Sequence, residues 1–458
     1  MSQDKIYAII DYEDAYVQPL LLSALQSRLP QGVLVLINDP SELPSPTSKL
    51  LQWRQYESID FENLMVNPET SLANSYVIRK ALIRKHYLSS TISHWLSKNP
   101  DSVLANHVKS SVEFEVDYAE FLDDALVEAW ELKASWERNE ALELGELGRE
   151  WWILKPGMSE RGQGIRLFSS EEELTEIFEE WDPPSDDEED DEDDPAHSGD
   201  EANGKSFPPQ TRINVEDDEE QGNGVMTSQL RHFIAQPYID PPLLLPNPHP
   251  SANRKFHIRT YVLAVGALQI YVYKPMLALF AGQPYTAPGA APASSSNHQT
   301  DEPEPSPNTN LAAHLTNTCL QTGEREGSVH AFWSLPSTLP GLPTPWRETI
   351  FTQIQQTTAE IFLAAARSMS IHFQTLPNAF EIFGLDFMVD AAGKTWLLEV
   401  NAFPDFAQTG DKLSGVVEGL MEAVVDVAVA GFYGVDGEKK EVDGEKLVKV
   451  LDVDLGRR

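Results

Sequence analysis

A chain of 458 residues with 41% hydrophobic content has room for two or three domains with real cores, which excludes a wholly disordered protein. Its net charge of −38 argues against unassisted binding to nucleic acid or to an anionic membrane, because either needs a basic surface. The one cysteine, Cys319, rules out an intramolecular disulfide and fits a reducing, cytoplasmic compartment.

In chain order, Ile6 to Ile10 is an apolar strand, Ala15 to Leu29 has helical spacing, and Val33 to Ile37 is a second strand. That β-α-β opening predicts a small N-terminal α/β lobe over residues 1–105. It has no GxGxxG turn, so a dinucleotide fingerprint is absent. The opening MSQDKIYAII has no cleavable signal pattern. Ser75 to Trp95 predicts one or two helices with Arg79, Lys80, Arg84 and Lys85 clustered, either as a solvated basic face or as a reach toward phosphates. Val116 to Asn139 carries an apolar stripe through Phe121, Leu122, Leu126, Trp130 and Trp136, expected as a surface helix packed on a core.

Trp151 to Lys155 reads as a strand ending in lysine, followed by a loop from Gly157 to Gly164 and a strand from Ile165 to Phe168. Gln163 stands where a Walker A motif has its lysine, so the loop is either a plain turn or a flap over phosphate. Ser169 and Ser170 cap a helix that runs to Trp181. Asp182 to Glu220 holds 17 acids against Lys205 and Arg212, and Pro183 to Ser228 is expected to be a disordered insertion. Phe233 to Ile239 is the next strand, and Arg254 to Val265 pairs with Gln269 to Phe280. Breaks at Gly266, Gln269, Lys274 and Pro275 make this apolar region a hairpin and not a membrane span. Gln283 to Asn310, rich in Pro, Ala and Ser, is a second loose insertion, and both interrupt a single domain spanning 106–433. Helices are expected over Trp346 to Met369 and Leu413 to Phe432, with a charged tail over 434–458.

The most informative stretch is Asn378 to Pro404, a hairpin in which Leu385, Phe387 and Val389 alternate with Asp386 and Met388. Its second strand alternates Trp396, Leu398 and Val400 with Leu397, Glu399 and Asn401. A turn on Ala392-Gly393, or on Ala391 to Lys394, places Asp386 opposite Glu399, with Asn401 pointing the same way. Met388 and Leu397 are expected on that polar face, so its acids are covered and need a compensating cation. Two carboxylates and an amide suit Mg²⁺ completed by phosphate oxygens.

The ordered series WWILKP, a GQG loop, QPYI, RKFHIRTYV, HLTN and GLDFMVD…WLLEVN resembles the tubulin–tyrosine ligase family of ATP-grasp enzymes. VIRKALIRKHYL, FEVDYAEFLDDAL and HLTNTCLQ are similar to its fungal, P-body-associated branch. The resemblance implies an α+β ATP-grasp fold that takes ATP and Mg²⁺, with a catalytic set of Arg259, Lys155 and Glu399. By motif position, Lys155 and Lys80 would contact phosphates, covered by the Arg161, Gly162 and Gly164 loop. Gln236, Tyr238 and Ile239 would edge the adenine, and Lys255 would lie beside the nucleotide. Arg259 would face the transferred γ-phosphate, Thr316 and Asn317 would line the substrate side, and Asp386, Glu399 and Asn401 would hold the metal. His257 stands where the family places an aspartate near the ribose, and Leu279 where it tends to place a second arginine. The implied reaction joins a free amino acid to a protein carboxylate, of tubulin or another acceptor, through an acyl phosphate. The alternative is a catalytically weak Mg-ATP-binding scaffold that meets mRNA-decapping proteins in P-bodies.

Overall fold

The computed structural model describes residues 5–142, 148–157, 164–181, 231–290, 311–316, 328–435 and 446–455, arranged around three sheets. The first is parallel: β1 (Ile6–Asp11), β2 (Leu34–Leu36), β3 (Lys49–Arg54) and β4 (Ser71–Ala73), in the order β2-β1-β3-β4. Its central strand is apolar at successive positions because both faces are covered, Ile6 and Ala8 on one side and Ile9 on the other.

The second sheet is antiparallel, with β5 (Val112–Glu115), β6 (Trp152–Pro156), β7 (Arg166–Phe168) and β8 (His232–Pro237) in the order β5-β8-β6-β7. Trp152, Leu154, Phe168, Phe233 and Ala235 form one face and pack beneath Leu122, Leu126, Leu132 and Trp136 and the Glu171–Trp181 helix. The stretch Val116 to Asn139 is not the single helix its stripe suggested. It forms a 3-10 turn at Ala119–Phe121 and helices at Leu122–Ala125 and Trp130–Asn139. Non-helical angles at Leu126 and Ala129 reset the helical phase, so Leu122, Leu126 and Trp136 go inward while Phe121 and Trp130 face solvent.

The third sheet has seven strands: β9 (Phe256–Val265), β10 (Gln269–Tyr273), β11 (Leu277–Phe280), β12 (Val329–Ala331), β13 (Phe380–Val389), β14 (Thr395–Ala402) and β15 (Leu447–Asp452). β9 is its axis, paired along one edge with β13 and along the other with β10 and β11 in succession. The partner expected as one strand over Gln269 to Phe280 is therefore two, parted at Lys274-Pro275, where proline has no N–H to give the ladder. The Trp346–Ser368 helix covers one face through Ile350, Ile354, Ile361, Phe362 and Ala365. Leu82, Leu88, Ile92 and Trp95, from the helices at Lys80–Ile83 and Lys85–Lys98, enter that same core rather than the N-terminal sheet. On the opposite face, the end of β9 around Tyr261 and Leu263 shares a core with the first lobe and the Ser414–Val424 helix.

Two segments depart from expectation. Residues 283–290, placed in a loose insertion, are described, and Tyr285 donates its N–H to the Asn253 carbonyl at 2.7 Å. The charged tail contains β15, which pairs with β10, and the Lys274 N–H reaches the Lys446 carbonyl at 2.7 Å. The signal was the apolar run Leu447, Val448, Val450 and Leu451, broken by Lys449 and hidden among charged neighbours. Val448, Val450 and Leu451 pack on the main core. A chain lacking residues 446–455 should lose about 2 kcal/mol of stability and aggregate through the uncovered β10 edge. Calorimetry and light scattering would measure both effects.

Candidate active site

Strand alternation builds the site. Phe256 and Ile258 enter the core, which turns Lys255, His257 and Arg259 together onto the other face. On β13, Phe383, Leu385 and Phe387 are core, and Gly384, Asp386 and Met388 take the site face. The register sets Asp386 opposite Arg259 on one side and opposite Glu399 on the other.

The Asp386–Glu399 pairing arises by a different route from the one expected. The turn is Asp390 to Lys394, closed by the Asp390 N–H on the Lys394 carbonyl at 3.0 Å, with Gly393 at φ +78°. This puts Val389 opposite Thr395, one residue out of phase with either predicted turn. A bulge that leaves Leu398 unpaired then restores the register before Glu399. The bulge also changes faces: Leu397 is core, not on the polar face, and Trp396 instead joins Met388 and Ile239, with Leu398 packed against them.

Arg259 grips Asp386 with two parallel bonds, Nε to Oδ1 at 2.5 Å and Nη2 to Oδ2 at 3.0 Å. Gly384 permits this, since a Cβ there would lie 2.9 Å from Pro404 Cβ and 3.3 Å from Arg259 Cδ. The Asn401 amide nitrogen is 3.2 Å from Glu399 and 3.4 Å from Asp386. His257 places Nδ1 2.6 Å from the Thr316 hydroxyl, while its buried Nε2 has no hydrogen-bond partner among the described residues and lies 3.6 Å from Asp386. Burial, opposed by Asp386, lowers the imidazole pKa and favours its neutral form.

The second sheet contributes the opposing wall. Lys155 and Gln236 lie on the face away from Leu154 and Ala235, and Lys155 Nζ donates to Gln236 Oε1 at 2.9 Å. Burial brings the Lys155 pKa down to about 8, against the pull of Glu399 and Asp386. Lys255 Nζ sits 3.9 Å from the Tyr238 ring centroid, and burial, with Lys155 adding to it, pushes its pKa down to about 7. Burial pushes the Glu399 carboxyl up, but Lys85 and Lys155, the Asn401 bond and Arg259 together hold it at about 2. The Tyr238 hydroxyl meets His314 Nδ1 at 2.9 Å, and its N–H is taken by the Trp151 carbonyl at 2.8 Å.

Lys80 is exposed at the start of its short helix, and the cation of that cluster that acts on Glu399 is Lys85. Arg79 of the same run is buried against Glu381, Nε to Oε1 at 2.8 Å, and sequence could not say which of the four charges goes to the core, which to the site and which to solvent. Gly164 is described, at φ +71°; Arg161, Gly162, Asn317 and the insertion 183–228 lie outside the described residues. Leu279 pairs with His257 and is buried in an apolar cluster, so it brings no charge to the site.

Two carboxylates and one carboxamide in mutual contact form a hard oxygen donor set, once the amide turns its oxygen toward the acids. Among the described residues no group of three His, Cys, Asp or Glu side chains is placed to hold a metal. An ion held by this set would leave its remaining positions to other oxygen donors.

This arrangement of opposed sheets is the α+β ATP-grasp fold. The structure is similar to that of the C-terminal domain of Pby1 from K. lactis, an ATP-grasp enzyme interacting with the mRNA decapping enzyme Dcp2. The TM-score is 0.65 with 34% identity, covering 98% of this chain and 99% of that one. The pattern of the tubulin–tyrosine ligase family matches residues 65–435, and the chain belongs to that family. It is 41% identical over 442 residues to a probable tubulin–tyrosine ligase of Schizosaccharomyces pombe, covering 96% of this chain and 95% of that one. It is 40% identical over 447 residues to another, PBY1 of Saccharomyces cerevisiae, covering 95% of this chain and 54% of the yeast protein.

The buried lysines give a stability test. Lys255 holds its proton less tightly folded than unfolded, so the folded state is penalised at neutral pH and the penalty falls as pH rises from about 7 toward the unfolded value near 10.4. Lys255→Met should therefore stabilise the ligand-free chain by about 1–3 kcal/mol below pH 7, with the gain fading toward pH 10. Urea unfolding across this range would measure it.

Proposed function

We propose that the chain is an ATP-dependent carboxylate–amine ligase that adds an amino acid to a protein carboxylate. The observation that carries this reading is the meeting of Lys155 and Lys255 with Arg259, Asp386, Glu399 and Asn401 between two sheets. Ile239, Met388, Trp396 and Leu398 form an apolar surface fit for a purine. Lys155, Lys255 and Lys85 then lie where the phosphates would run, and the partly neutral lysines gain charge as an anion arrives.

Asp386, Glu399 and Asn401 would hold Mg²⁺, which when bound neutralises charge on the phosphate oxygens. Arg259 has a fixed, always-charged fork suited to the oxygens of a phosphoryl group in transfer. In the first step a carboxylate oxygen of the acceptor bonds to the γ-phosphorus, and the bond to the ADP oxygen breaks. In the second, an amine nitrogen bonds to the acyl carbon, inorganic phosphate leaves, and the amine proton goes to a base. No nucleophilic side chain is needed.

A second reading is supported by Leu279. An apolar side chain beside His257 and Arg259 removes charge from the region that would bind the acyl phosphate. On this reading the chain is an Mg-ATP-binding scaffold; the interaction of Pby1 with the mRNA decapping enzyme Dcp2 supports mRNA-decapping proteins as its partners, and cytoplasmic P-bodies would then be its setting.

Calorimetry of Mg²⁺-dependent ATP binding should show saturable binding to the native chain, weakened at least about tenfold in Glu399→Gln. The same preparation, supplied with labelled amino acids and cell extract, should place label in a protein band. Binding without label would favour the scaffold, and absence of binding would refute both readings. If the ligase reading holds, Arg259→Lys should lower turnover by about 100-fold while the chain still binds nucleotide.

A further inference from the structure

The described residues expose eight large hydrophobic side chains, and four of them, Tyr118, Phe121, Val127 and Trp130, fall within thirteen residues. Trp130 is 70% exposed and Val127 55%, and the Tyr118 and Phe121 rings meet edge to face at 6.3 Å. The site does not use these residues. Their neighbours Leu122, Leu126 and Leu132 pack on the Trp152, Leu154, Phe233 and Ala235 face of the second sheet, whereas Lys155 and Gln236 occupy the opposite face. The sheet thus separates this surface from the nucleotide cleft.

Water-facing tryptophan, tyrosine and phenylalanine on one short stretch of chain are unfavourable in a free monomer, and such residues are common at the centres of protein interfaces. The charge around it selects the occupant. From Asp117 to Glu131 there are six acids and no base, and Glu120, Asp123, Asp124, Glu128 and Glu131 are all exposed. Asp117 is held by Arg231 at 2.7 Å. The chain's own segment 182–220 carries 17 acids against two bases and would be repelled. A second copy would bring like charge to like.

We propose that this surface is a docking site for a basic, amphipathic segment of a partner protein. Aliphatic side chains of the partner would cover Phe121 and Trp130, and its lysines or arginines would meet Glu120, Asp124 and Glu128. The attraction between the acidic rim and the basic segment speeds encounter, and the apolar contacts slow release.

The test uses the full chain and a fluorescein-labelled peptide with leucine on one helical face and lysine on the other, followed by anisotropy in 150 mM salt. A peptide of equal charge with serine replacing leucine is the control. The Leu/Lys peptide should bind saturably, with affinity reduced at least about tenfold by Phe121→Ser/Trp130→Ser and by Glu120→Gln/Asp124→Asn/Glu128→Gln. Unchanged melting temperatures in these variants would show that they fold, as expected for exposed positions. Equal binding by the Ser/Lys peptide, or by the Phe121→Ser/Trp130→Ser variant, would overturn the proposal in favour of general attraction to a chain of charge −38. A dimer in sedimentation equilibrium that the Phe121→Ser/Trp130→Ser variant dissolves would overturn it in favour of a second copy.

Discussion

The buried pair between Arg259 and Asp386 is the constraint on which the rest of the site depends. Both side chains are almost fully enclosed, and neither charge is tolerable there alone: removing one partner of such a pair costs about 3–5 kcal/mol. The β9–β13 register brings the two groups face to face, and the missing side chain at Gly384 lets the guanidinium lie flat against them. Asn401 then bridges Asp386 to Glu399, and Glu399 feels the lysines of two other elements. Without ligand, the two carboxylates are answered by the site's own cations.

Charge is divided unevenly over the molecule. The chain is strongly acidic as a whole, yet Lys85, Lys155, Lys255 and Arg259 are gathered in one cleft, three of them buried. Desolvation lowers the proton affinity of Lys155 and Lys255, so the cost of burying them is part of what an incoming anion relieves. The outer face of the second sheet has the opposite character, aromatic side chains within a field of carboxylates. One small sheet therefore turns Lys155 toward the cleft on one face and an acidic, apolar surface toward solvent on the other.

Much of this was legible in sequence because strand alternation is local. The β-α-β opening, the lysine-ended strand, the long helix from Trp346 and the Asp386, Glu399 and Asn401 set all follow from periodicity and motif. Three things did not. The bulge at Leu398 depends on how the Asp390 carboxylate ties the turn, taking the N–H groups of Ala392 and Lys394 at 3.0 Å each. The choice of Lys85 over Lys80 depends on the short helix breaking at Arg84, which turns the next residue in a new direction. Strand β15 depends on a neighbour, β10, far away in sequence, so its short apolar run could not be told from a tail.

The two jaws of the cleft differ in how firmly they are anchored. β9 is laced on both edges, and its apolar residues reach into two large cores. The sheet that carries Lys155 has a small core of its own. The asymmetry divides the site: Arg259, Asp386 and Glu399 ride on the heavily anchored jaw, whereas Lys155 reaches them from the jaw held by fewer apolar contacts.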